Sequence, residues 1–77
     1  MKYIVVDDGL SECPYIFPQH LQHFYMHSCV GGEVVSAGFV VFTPEGLECY
    51  DKSISLGVAS RPEIDTKLLK SLIGGKG

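Results

Sequence analysis

The sequence predicts an α+β fold: a small antiparallel sheet, made of an N-terminal strand and a central hairpin, covered by a C-terminal helix, with a short helix in the middle. Three observations predict it. Val34 to Phe42 is rich in Val and Phe and has no proline or charge, and Thr43-Pro44-Glu45-Gly46 follows as a turn, with Pro suited to its second position and Gly to its end. Lys2-Tyr3-Ile4-Val5-Val6 is a compact β-forming run stopped by Asp7-Asp8-Gly9. Ile64, Leu68, Leu69, Leu72 and Ile73 recur at helical spacing near the end of the chain.

In chain order, Lys2 to Val6 is the first strand, and it belongs beside the hairpin, because two strands alone are marginal in water. Asp7 and Asp8 read as a solvated turn, since a hard cation would need oxygen ligands that the sequence does not bring near. Leu10 to Pro18 reads as an irregular arm, with Pro14 and Pro18 bracketing Tyr15-Ile16-Phe17. Pro18 suits a first helical turn, and Gln19 to Ser28 then places Leu21, Phe24, Tyr25 and Ser28 on one face. The aromatic density of His23-Phe24-Tyr25 would suit a strand nearly as well. Gly31-Gly32 ends this segment.

The hairpin register predicted by a four-residue loop sets Phe42 against Leu47, Val40 against Cys49, Phe39 against Tyr50 and Val35 against Ile54. Val35, Ala37, Phe39 and Val41 then share a face with Tyr50, Ile54 and Leu56, and this is the expected core face, over which the terminal helix should lie. Ser60-Arg61-Pro62-Glu63 fits a capping box at the start of that helix, and Asp65 points into the arc of the apolar stripe, although a first-turn position can still be solvated. Gly74 is expected to stop it, leaving a flexible tail over 74–77.

The 77 residues are expected to form a single domain over 1–77, near the lower size at which one core suffices. Apolar residues at 45% against charged residues at 19% argue for a folded chain. Six Lys and Arg against nine Asp and Glu, with Arg61 the only arginine, exclude a phosphate-tracking basic stripe, so no nucleic-acid partner is expected. No stretch approaches the roughly 18 apolar residues of a membrane span. Cys13, Cys29 and Cys49 are odd in number and widely spaced, and the N-terminus shows no long apolar segment, so a cytoplasmic location is expected.

Chemistry-bearing residues are few. His20, His23 and His27 lie within eight residues and on a helix would span an arc of about 60°. Neutral imidazoles so placed, with Cys29 or Cys13 as a fourth ligand, would make a zinc face; the alternative is that they are boundary residues flanking the Leu21/Phe24/Tyr25 stripe. No nucleophile motif surrounds the cysteines, and Gly31-Gly32 and Gly74-Gly75 lack the strand-to-helix context of a phosphate loop, so no catalytic residue and no resident cofactor are expected. What remains is a surface. Arg61 is an isolated fork able to hold a partner carboxylate, and Tyr15, Phe17, Phe24 and Tyr25 form an aromatic reserve that serves either as a binding patch or as core.

The segments Ile16 to His23, Val34 to Val40 and Ser53 to Glu63 resemble blocks in small uncharacterised proteins of tailed phages and prophages of proteobacteria. They cover roughly a third of the chain and include no catalytic motif. The resemblance implies a phage accessory product working in the host cytoplasm, by binding a host or phage protein. The expectation is therefore a non-enzymatic interaction module, with Arg61, Tyr15, Phe17 and Tyr25 as contact residues and pairing of two copies through a strand edge as an option. The alternative is a small zinc protein using the His20/His23/His27 face.

Overall fold

The chain forms β1 (Lys2–Asp7), β2 (Glu12–Phe17), α1 (His23–Val30), β3 (Glu33–Thr43), β4 (Gly46–Tyr50), β5 (Lys52–Ser53), β6 (Val58–Ala59) and α2 (Pro62–Gly74) in that order. The computed structural model describes residues 1–74. Four strands make one antiparallel sheet in the order β2-β1-β3-β4, and β5 pairs with β6 in a separate two-stranded ribbon. No described helix is long and apolar enough to cross a membrane.

The predicted α+β class holds, and β1 sits beside the hairpin as its composition demands, antiparallel to β3. The hairpin register is also as expected through Phe42 opposite Leu47, Val40 opposite Cys49 and Phe39 opposite Tyr50. Beyond Tyr50 it departs. Asp51 has φ 67°, a left-handed conformation that Asp tolerates better than most residues, and it turns the chain out of the sheet. Lys52 and Ser53 therefore face Ala59 and Val58 instead of extending β4, and Ile54 is 87% exposed and does not face Val35.

The arm expected over Leu10 to Pro18 is a fourth strand. Glu12–Phe17 pairs with β1 along its whole length, from Lys2 opposite Phe17 to Asp7 opposite Glu12. Pro14 is compatible because β2 is a sheet edge, where a missing N–H interrupts no ladder. The tight connection to β1 is built by carboxylates. Asp7 Oδ1 accepts from Gly9 N–H at 2.8 Å, and Asp8 Oδ1 accepts from Leu10 and Ser11 N–H at 2.9 and 3.0 Å.

Both faces of the sheet are covered, and the terminal helix lies on the face opposite the predicted one. Tyr3, Val5, Val40, Leu47 and Cys49 pack with Leu69 of α2, while Ile4, Val6, Phe17 and Ala37 pack under α1 with Met26, Val30, Leu56 and Val58. The reason lies in β1. Its central position buries both of its faces, so a hairpin face apolar only near the turn is completed by Tyr3 and Val5, and the Val5/Val6 bulge lets Val35 join that side. Each fully buried aliphatic or aromatic side chain contributes roughly 1.5–3 kcal/mol, so two half-cores together are what a chain of this length requires.

Helix α2 is rotated relative to its apolar stripe: Asp65 and Leu69 are fully buried, whereas Ile64 and Leu72 are each 55% exposed. The capping box expected at Ser60 and Glu63 gives way to a different cap. Pro62 is the first helical residue, Arg61 N–H donates to Asp65 Oδ2 at 2.8 Å, and Asp65 N–H donates to Arg61 O at 2.7 Å. Ser60 N–H is drawn instead to Asp51 O at 3.0 Å. The helix continues through Gly74, and the rest of the expected tail lies outside the described residues.

Candidate functional site

The predicted contact residues fall into different environments. Phe17 is 1% exposed and belongs to the core under α1, so it is not a contact residue. Its position opposite Lys2 in β2 turns it inward, a register invisible while the segment reads as an arm. Tyr15, two residues earlier on the same sheet face, is 37% exposed at the edge.

Arg61 is engaged within the molecule. Its Nη2 donates to Glu12 Oε1 at 2.9 Å and lies 2.9 Å from Asp65 Oδ1, while Nε donates to Asp65 Oδ1 at 3.0 Å. The pairing ties the start of α2 to the start of β2 and raises the Arg61 pKa, first through the Glu12 bond. Asp65 is the hub. Its carboxylate, wholly buried, also accepts from the Tyr3 hydroxyl and from Ser36 Oγ at 2.9 Å. A buried carboxylate is tolerated where donors surround it, and here two side-chain hydroxyls, a guanidinium and a backbone amide do so. Burial and the adjacent Asp65 push the Tyr3 hydroxyl far up, so Tyr3 remains a donor. The first-turn position that sequence allows to be solvated is therefore buried and accepts from Tyr3, Ser36 and Arg61.

The three histidines do not share a helix face. Helix α1 begins at His23, not at Gln19, so His20 lies before it in an exposed turn. Lys2 Nζ donates to Leu21 O at 2.8 Å across that turn, and Gln22 is the N-cap. His23 is 4% exposed, with its ring edge-on to Phe17 and Phe39 at centroid distances of 5.5 and 5.6 Å. Its Nε2 donates to Gly38 O at 2.8 Å, and burial depresses its pKa. His27 Nε2 donates to Gly32 O at 2.8 Å near the helix end. Among the described residues no group of three or more His, Cys, Asp or Glu is placed to hold a metal ion.

The cysteines are separated. Cys49 is buried and its thiol pKa is raised by that burial; Cys29 is exposed, and Cys13 is half-buried with Sγ 3.8 Å from Asp8 Oδ2.

Two further surfaces lie around α1. The outer side of α1 carries Phe24 and Tyr25, at 50% and 54% exposure, together with Ser28 and Cys29. Its inner side, His23, Met26 and Val30, anchors the helix to the sheet. The second surface is a groove of about 430 Å³ beside the start of α1, lined by Lys2, Gln22, His23, Phe39, Asp51, Lys52, Ile54 and Ser55. Sequence reasoning misses this groove because its residues come from four separate segments and have no common spacing. The sequence matches no protein-family model, and comparison with curated proteins and with solved structures found no match.

Proposed function

We propose that the protein is a non-enzymatic interaction module of the phage accessory kind, which occupies a host or phage protein through the outer face of α1. The observation that carries this reading is the pairing of half-exposed Phe24 and Tyr25 on a helix pinned from beneath by His23, Met26 and Val30. Aromatic side chains on a rigid support lose little entropy on binding and fill an apolar cleft well. Tyr15, 37% exposed, is a further aromatic side chain on the sheet face that α1 covers. Arg61 is not needed, being held by Glu12 and Asp65.

Strand addition is a poor route to pairing two copies. One edge contains Pro14, and at the other the Cys49 N–H donates to Thr66 Oγ1 of α2 at 3.1 Å. The test is affinity capture from a bacterial host carrying the tagged protein, run beside a Phe24→Ser/Tyr25→Ser variant. A specific partner retained by the parent and lost by the variant, at unchanged melting temperature, is expected. Retention of the same partners by both, or of none by the parent, would overturn the proposal.

A further inference from the structure

We infer that the groove beside the start of α1 binds an N-acylated apolar amino acid through its free α-carboxylate, a chemistry shared by small acyl-amino acids and by the last residue of a polypeptide. The volume, about 430 Å³, lies within the range of roughly 300–1,000 Å³ typical of small-ligand sites. Three features of the lining specify the ligand.

The first is charge. In a chain of net charge −3, this groove brings together Lys2 and Lys52 against the single carboxylate of Asp51. Lys2 is held in place, with Nζ donating to Leu21 O at 2.8 Å and standing 5.9 Å from the Phe39 ring centroid. An ammonium has three donors, so two remain for an anion. The second is an apolar wall. Phe39 lines the groove, and Ile54, 87% exposed, stands at its side with nothing to cover it.

The third is His23. Because Gly38 O can only accept, the His23 proton is on Nε2, and in the neutral ring Nδ1 is an acceptor. His23 lines the groove, and because no described buried side-chain polar atom lacks a partner, Nδ1, which has none, keeps some exposed surface. A bare inorganic anion would satisfy the lysines but meet a lone pair at Nδ1. An amide N–H beside the carboxylate satisfies both, and the apolar side chain between them lies on Phe39 and Ile54.

The experiment is titration of the full chain with N-acetylphenylalanine, followed through the backbone amide resonances of Lys2, His23, Phe39 and Lys52. Saturable shifts confined to that set at millimolar concentration are expected. N-acetylphenylalaninamide, which lacks the charge, should bind at least roughly threefold more weakly, as should N-acetyl-N-methylphenylalanine, which lacks the N–H. A Lys52→Met variant, altered at an exposed position, should lose affinity to a similar degree. N-acetyl-glycyl-glycyl-phenylalanine separates the sources: tighter binding identifies a polypeptide C-terminus, equal binding a small acyl-amino acid. Absence of saturable shifts with both acids, or equal binding of the acid and its amide, would overturn the assignment. The Phe24→Ser/Tyr25→Ser variant should bind the probe normally, so this site and the α1 surface fail or succeed independently.

Discussion

Replacing Asp65 with alanine should destabilise the fold by about 3–5 kcal/mol, the range for removing one member of a buried ion pair. The structure accounts for that size. The carboxylate has no exposed surface and accepts from the Tyr3 hydroxyl, Ser36 Oγ, Arg61 N–H and Arg61 Nε. Hydrogen bonds to a charged group are worth roughly 1.5–3 kcal/mol each, and the two buried hydroxyls would be left without an acceptor. Arg61 limits the loss, because its side chain is 27% exposed and keeps Glu12 as a partner. Against a total stability of roughly 5–15 kcal/mol, this is a large fraction. Urea denaturation at neutral pH, read as a change in midpoint at constant slope, measures it. The companion variant Tyr3→Phe/Ser36→Ala/Asp65→Leu removes the carboxylate together with both hydroxyls and should recover part of the loss, since neither hydroxyl is then left without an acceptor, while the Arg61 N–H and Nε still lose theirs. A cost below about 1 kcal/mol for Asp65→Ala, or a triple variant less stable than the single one, would refute the reasoning.

Gly38→Ala should destabilise by roughly 1–3 kcal/mol, because the added Cβ would sit 2.4 Å from Tyr50 O and 3.1 Å from Ser60 Cβ, and backbone cannot step aside as a side-chain tip can; thermal unfolding reads it. His23 makes stability depend on pH. Its pKa in the fold is depressed by burial, so the unfolded chain binds more protons as pH falls below about 6.5, and stability present above that value is lost on acidification towards the folded pKa; a His23→Gln variant should flatten this slope in urea midpoints between neutral and mildly acid pH. Thr66→Val should cost about 1 kcal/mol by leaving the Cys49 N–H without its acceptor, and should also raise self-association through β4 in sedimentation, while Thr66→Ser should do neither.

Several of these positions were legible only in part from local pattern. The Val34 to Phe42 run, its turn and the pairing through Tyr50 follow from residue types alone, because a four-residue loop with Pro and Gly leaves little freedom of register. Glu12–Phe17 did not follow, since Pro14 within it and Pro18 just after it argue against a strand unless the strand is known to be an edge. The histidine cluster illustrates the same limit: sequence spacing places His20, His23 and His27 on one helical face, but the helix begins at His23, where the ring finds Gly38 O and two aromatic neighbours. Arg61 stands out as the lone guanidinium, yet Glu12, 49 residues away, absorbs it.

Composition and periodicity by themselves determined the α+β class, the N-terminal strand, the hairpin and the terminal helix, because hydrophobic alternation, turn residues and helical spacing act within a few residues of one another. Only the tertiary structure decided which face α2 covers, that Asp65 is buried and that Phe24 and Tyr25 are left outside while Phe17 is not. Those outcomes depend on β1 lying between β2 and β3 with both faces buried, and on contacts such as Tyr3 with Asp65, 62 residues apart. Local sequence sets each element's two faces, but which face goes inward is settled by the shape and polarity of what comes to lie against it.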